Sequence, residues 1–105
     1  MSNKVILIDD DKLIHFLWKT EAKKNNVDLE TYFSIASFLT EAEALSRDTS
    51  IYIDSDLGQG IRGEVESEKI FLLGFTNLYL ATGFEAKDIN KPHWIKEVGG
   101  KTPRF

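Results

Sequence analysis

Apolar and polar residues alternate along this chain with two different periods. Short apolar runs, KVILI at Lys4–Ile8, IYI at Ile51–Ile53 and LYLA at Leu78–Ala81, each stop on polar or turn-forming residues. Runs of this kind, bounded by turn signals, predict buried strands. Val27–Tyr32 alternates apolar with polar, the pattern of a half-buried edge strand, and Trp94–Val98 predicts a fifth strand. Between them the period becomes helical. Leu13, Ile14, Leu17 and Trp18 predict the buried stripe of a helix that starts on an Asp11 cap and runs to Lys24. Ser34 or Ser37 caps a second helix reaching Ser46, with Phe38, Leu39, Ala42 and Leu45 inward. Glu64–Leu73 predicts a third, with Val65, Ile70 and Leu73 as its apolar face and Gly74 as its stop. Glu85–Asn90 has room for a turn or two of helix before Pro92.

Strands alternating with helices imply right-handed βαβ units, hence an α/β fold around a parallel sheet. In such sheets chemistry gathers beyond the carboxyl ends of the strands. Those ends carry Asp9 and Asp10, then Asp54, then Thr82, then Lys101. Carboxylates crowded onto neighbouring strands repel one another and raise each other's pKa. A hard divalent cation with oxygen ligands, Mg²⁺ where phosphate is handled, resolves that crowding. Read more simply, Asp9-Asp10-Asp11 only caps a helix and complements its dipole. That suits Asp11 and leaves Asp54 unexplained. One carboxylate can then act as an oxygen nucleophile toward phosphorus, with a hydroxyl and an ammonium binding the oxygens of the transferred group. Gly83 leaves room for that group, and Gly58, Gly60 and Gly63 let backbone approach Asp54 closely.

Composition narrows the classes. The 105 residues fit one domain, 1–105, with a single core. The net charge of −4 argues against binding nucleic acid through bulk charge. The absence of cysteine excludes disulfides, thiol chemistry and zinc–thiolate sites. The N-terminal apolar run is too short for a signal or membrane segment, so a cytoplasmic location is expected, with no membrane partner.

The ordered features VILIDDD, IYIDSDLGQG followed by Gly63, LYLATG and GGKTP resemble the receiver domain of two-component response regulators, across essentially the whole chain. The resemblance implies a flavodoxin-like, doubly wound five-stranded parallel sheet of order 2-1-3-4-5. It implies Asp54 as phosphoacceptor, charged by a sensor histidine kinase, a phosphotransfer protein or a small phosphodonor. Asp9 and Asp10 resemble the acid pair that holds Mg²⁺, Asp10 more directly; Asp54 and the backbone carbonyl of Asp56 complete the protein ligands. Thr82 resembles the switch hydroxyl and Lys101 the lysine that pairs with the phosphate. Such a chain is no enzyme toward external substrates. At most it phosphorylates itself and slowly hydrolyses the product. In the family the phosphate lifetime depends partly on the positions held here by Asp56 and Phe84.

Departures from the family pattern concentrate near the C-terminus. Thr102 separates Lys101 from Pro103, the fourth helix is cut short, Val98 stands at the aromatic switch position, and the fifth helix is missing. The missing helix predicts bare apolar surface on one sheet face, covered by a partner, most simply a second copy of the chain. A C-terminal tail folded back over the gap is the alternative. Two other functions compete. A pseudo-receiver would keep the fold and signal by protein contact alone. A haloacid-dehalogenase-type phosphatase would use Asp54 as nucleophile and Asp56 as general acid. Trp18 reads as core, and Arg62 as a solvated loop cation. His93 and Trp94 read as aromatics of an irregular segment, and His15, Arg104 and Phe105 receive no role.

Overall fold

A computed structural model of the chain describes residues 4–105. Strand β1 (Lys4–Ile8) leads into helix α1 (Lys12–Lys24), strand β2 (Asp28–Tyr32), the short helix α2 (Ile35–Leu39) and a 3-10 turn at Ala42–Ala44. Strand β3 (Ser50–Ile53) is followed by α3 (Gly63–Glu66) and α4 (Glu68–Phe71). Strand β4 (Leu78–Ala81), a 3-10 turn at Ala86–Asp88 and strand β5 (Ile95–Gly99) complete the order. All strand pairs are parallel, and the sheet order is β2-β1-β3-β4-β5. This is the flavodoxin-like α/β sheet expected from the sequence, with a single 3-10 turn in place of a full fourth helix.

Side chains alternate across the sheet, so each strand feeds two layers. Ile6, Ile8, Ile51, Ile53, Leu78, Leu80 and Ile95 face one side and pack with Ile35, Phe38, Ile70 and Phe75 in the main core. On the other side Leu7 and Ala81 meet Trp18 of α1 in a smaller cluster, joined by Ile14, Leu29, Tyr52 and Phe105. Each fully buried Ile or Leu contributes about 1.5–3 kcal/mol relative to exposure, so the main core carries most of the stability.

The helices depart from the expected boundaries and faces. Asp11 caps α1 through its side chain as predicted, but Leu13 is 74% exposed and Leu17 43% exposed. The buried line is His15, Trp18 and Ala22, at positions i, i+3 and i+7. His15 is tolerated there because its Nε2 hydrogen-bonds the Asp9 carbonyl oxygen at 2.6 Å and its ring stacks on Phe33. Ser34, not Ser37, caps α2, accepting from the Ser37 amide. That helix stops at Leu39, where the Thr40 hydroxyl donates to the Ser37 carbonyl at 2.7 Å, a side-chain bond that competes with the helical ladder. The expected third helix divides at Ser67. Of its predicted apolar face only Ile70 is buried, while Val65 is 61% exposed. Gly63, Ser67 and Ile70, again at helical spacing, form the inward line, so small and polar residues face the core.

The sheet face expected to be bare is covered in part among the described residues. Tyr52 and Tyr79, paired across β3 and β4, stack at 4.9 Å between ring centroids, and exposed Glu97 continues the row on β5. The chain end folds back over this face. The Arg104 guanidinium lies over the Tyr52 ring at 5.1 Å and donates to the Leu80 carbonyl at 2.8 Å. The Phe105 ring meets Trp18 edge-on at 5.6 Å. Arg104 and Phe105, to which the sequence assigns no role, thus pack on this face.

Candidate functional site

Three of the four parallel ladders run one residue past the carboxyl end of a strand, and this places the polar residues. The Asp9 amide donates to the Tyr32 carbonyl at 3.1 Å, the Asp54 amide to Ile8 at 2.9 Å, and the Thr82 amide to Gly99 at 2.9 Å. Asp9, Asp54 and Thr82 are therefore fixed at the carboxyl edge of the sheet, and all three are buried. Lys101, just past β5, reaches back across the edge. Its Nζ donates to Asp9 Oδ2 and to Asp54 Oδ2, both at 3.0 Å. The Lys101 backbone is held in turn by α1, because Trp18 Nε1 donates to its carbonyl oxygen at 2.8 Å.

A cleft of about 260 Å³ opens on this edge, lined by Asp10, Asp54, Asp56, Thr82, Phe84 and Lys101 among others. Asp10 is exposed, and its carboxylate falls with those of Asp9 and Asp54 inside a 4.8 Å cluster. Asp9 Oδ1 accepts from the Asp11 amide at 2.8 Å. Asp54 Oδ1 differs: it is buried and has no hydrogen-bond partner among the described residues. Asp56 spends one oxygen on the Gly58 amide of its own loop. That loop is tightly built. Gly58 has φ +85° and an added Cβ would lie 3.1 Å from Asp10 Oδ2, while a Cβ on Gly63 would collide with the Asp54 carbonyl.

The charges perturb one another in the expected direction. Burial raises the Asp54 pKa, the Asp9 charge raises it further, and Lys101 opposes both. Burial also raises Asp9, against the Asp11 amide and Lys101. Burial is the largest influence on Lys101 and acts to lower its pKa, but its hydrogen bonds to Asp54 and Asp9 outweigh it and the net shift is upward. An edge with raised carboxylates, one ammonium and an unpartnered carboxylate oxygen can bind a hard cation and a compact oxyanion together.

The structure thus gathers every residue singled out from the sequence, Asp9, Asp10, Asp54, Asp56, Thr82 and Lys101, on one edge. It adds others to which the sequence assigns no role in the site. His15 braces Asp9 from α1. Buried Ser55 and Glu64 hydrogen-bond at 2.6 Å behind Asp54, and Arg62 pairs with Glu64 at 2.9 Å instead of standing free in solvent. Away from this edge, half-buried Trp94 donates to Ser67 Oγ at 2.8 Å. The expected spacing of Glu64 on a helix was visible in sequence. Its burial was not.

No family profile and no curated protein matches the chain. Among solved structures, the N-terminal domain of a response regulator/sensory box/GGDEF 3-domain protein from Carboxydothermus hydrogenoformans superposes with a TM-score of 0.71. The likeness covers 96% of this chain and 83% of that one at 16% sequence identity. The chain therefore has the fold of a response-regulator N-terminal domain. No helix among the described residues is long and apolar enough to cross a membrane.

Proposed function

We propose that the chain is a receiver module that accepts a phosphoryl group on Asp54 and thereby switches a protein-interaction surface. The observation that supports this best is the pairing of Asp54 Oδ2 with Lys101 Nζ while Oδ1 is left buried and unpartnered at the cleft. A carboxylate so held has one oxygen anchored and one available. In the transfer, an Asp54 oxygen attacks phosphorus, the bond from phosphorus to the donor atom breaks, and the donor leaves with the electron pair. Lys101 already sits where it can pair with the incoming phosphoryl oxygens, and Thr82 supplies a hydroxyl at the same cleft.

The residues present also fit a divalent cation. The carboxylates of Asp9, Asp10 and Asp54 lie close together, the donor set is all oxygen, and one of those oxygens lacks a partner. Asp9, Asp10, Asp54 and the Asp56 backbone carbonyl would hold Mg²⁺, which when bound supplies charge neutralisation for the phosphoryl oxygens. The partners that follow from this function are a sensor histidine kinase or a phosphotransfer protein, in the cytoplasm. The phosphatase reading draws no comparable support, since the Asp56 carboxylate it needs as an acid is engaged by the Gly58 amide.

Trapping decides the acceptor. An aspartyl phosphate formed from acetyl phosphate and Mg²⁺ is reduced by borohydride to homoserine. Peptide mass mapping is expected to find homoserine at position 54 alone. Homoserine at Asp9, Asp10 or Asp56, or at no position, overturns the assignment.

A further inference from the structure

Arg62 lies at the centre of contacts that the phosphoryl chemistry does not use. Its Nη2 donates to Glu64 Oε2 at 2.9 Å and to Ser55 Oγ at 3.3 Å. Glu64 is 5% exposed and Ser55 fully buried, and Ser55 Oγ donates to Glu64 Oε1 at 2.6 Å. A buried carboxylate needs its partners, so Glu64 fixes the guanidinium in place. The backbone adds to this: Arg62 bridges to Asp56 across the loop, and the Gly63 amide donates to the Ser55 carbonyl at 2.8 Å. The other face of the guanidinium covers the Phe84 ring at 5.3 Å. Phe84 is 45% exposed and lines the cleft that holds Asp54. Its amide donates to Thr82 Oγ1 at 3.1 Å.

Phe84 lines the cleft with much of its surface in water, and the clamped Arg62 guanidinium gives its ring a fixed contact. We propose that Arg62, clamped by Glu64 and Ser55, tethers Phe84 over the Asp54 cleft and so limits attack of water on phosphorylated Asp54. Arg62 is a positioning residue: it touches no reacting atom and acts through Phe84. The step it slows is hydrolysis, in which water attacks phosphorus, the bond from phosphorus to the Asp54 oxygen breaks, and the carboxylate leaves with the pair as inorganic phosphate forms. The inference rests on Asp54 being the phosphoacceptor.

Two measurements on the full chain separate this inference from that premise. The first is the decay of Asp54-bound phosphate after the donor is removed, in the unaltered chain and in Arg62→Ala, Arg62→Lys, Phe84→Ala and Arg62→Ala/Phe84→Ala. An exposed cation–π contact favours the tethered state by a factor of about 2–5, so Arg62→Ala is expected to speed decay about that much. The double variant is expected to decay no faster than Phe84→Ala, because Arg62 has nothing left to hold. Arg62→Lys, which keeps the charge but not the planar fork, is expected to fall between. Additive effects, or an Arg62→Ala lifetime equal to that of the unaltered chain, overturn the proposal. The second is hydrogen exchange at the Phe84 amide in the unphosphorylated chain, expected to be faster in Arg62→Ala. Unchanged exchange overturns the tether whether or not Asp54 accepts phosphate. An unaltered chain that takes no phosphoryl group overturns the premise instead, and with it the effect on lifetime.

Discussion

Lys101 Nζ donates to Asp54 Oδ2 at 3.0 Å across the carboxyl edge of the sheet, joining residues 47 positions apart. The same ammonium holds Asp9, so one cation separates two buried carboxylates. Replacing it by an apolar chain of similar length, Lys101→Met, leaves those carboxylates facing each other without a counter-charge. The expected cost is about 1–3 kcal/mol in urea unfolding at neutral pH. Most of that cost should disappear in Lys101→Met/Asp54→Asn, where one of the repelling charges is gone. Equal costs in the two backgrounds would show that Lys101 does not act on Asp54.

The raised pKa of Asp54 has a signed consequence for stability. Its folded value lies above its unfolded value, so the folded chain binds the proton more tightly. The resulting stabilisation is fully present below the unfolded pKa and is lost as pH rises through the folded pKa. At neutral pH the ionised side chain therefore opposes folding. Asp54→Asn is expected to stabilise the metal-free chain at pH 7. That gain should shrink as pH is lowered through the folded pKa. Thermal unfolding across pH checks it, and a destabilised Asp54→Asn at pH 7 would contradict the electrostatic account.

Magnesium should relieve the same repulsion. Thermal unfolding is expected to move upward with Mg²⁺ concentration as mass action requires, and EDTA should reverse the shift. The effect should weaken at acidic pH, because the ligands must be deprotonated and Asp9 and Asp54 both hold protons more tightly than usual. Asp10→Asn should abolish most of it, Asp10 being the exposed member of the cluster. A Mg²⁺ response unaltered in Asp10→Asn would place the ion elsewhere.

At the C-terminus, Phe105 covers Trp18 and Trp18 holds the Lys101 carbonyl, so the tail supports the site indirectly. Phe105→Ala removes a half-buried ring and is expected to cost about 1–2 kcal/mol. Tryptophan emission should shift to the red as Trp18 gains solvent. Unchanged stability and emission would mean that the tail is not held on this face.

The strands and the site were the legible parts of the sequence, for a shared physical reason. A strand buried on both faces must be continuously apolar, and the charge that ends it is conspicuous. Lys4–Ile8 into Asp9 and Ser50–Ile53 into Asp54 both show this. Helical periodicity carries less information, because it fixes the angles between residues without saying which side meets the sheet. Leu13 and Leu17 have the spacing of a buried stripe, yet of that stripe only Trp18 is fully buried, and His15 joins it on the inside. His15 is held there by a bond to the Asp9 carbonyl and by a ring stack on Phe33 from beyond β2, and hydrophobic periodicity carries a signature of neither. The break at Ser67 and the burial of Glu64 have the same origin, in partners from Trp94, Ser55 and Arg62 that lie far along the chain or across a loop.

The central claim is that Asp54 takes the phosphoryl group with the help of Mg²⁺. Intact mass after incubation with acetyl phosphate and Mg²⁺ tests it most directly, with EDTA and Asp54→Asn as companions. One added phosphoryl group is expected in the unaltered chain, and none when either the metal or the Asp54 carboxylate is removed. An adduct that survives in Asp54→Asn, or no adduct in an unaltered chain shown to bind Mg²⁺, would contradict it.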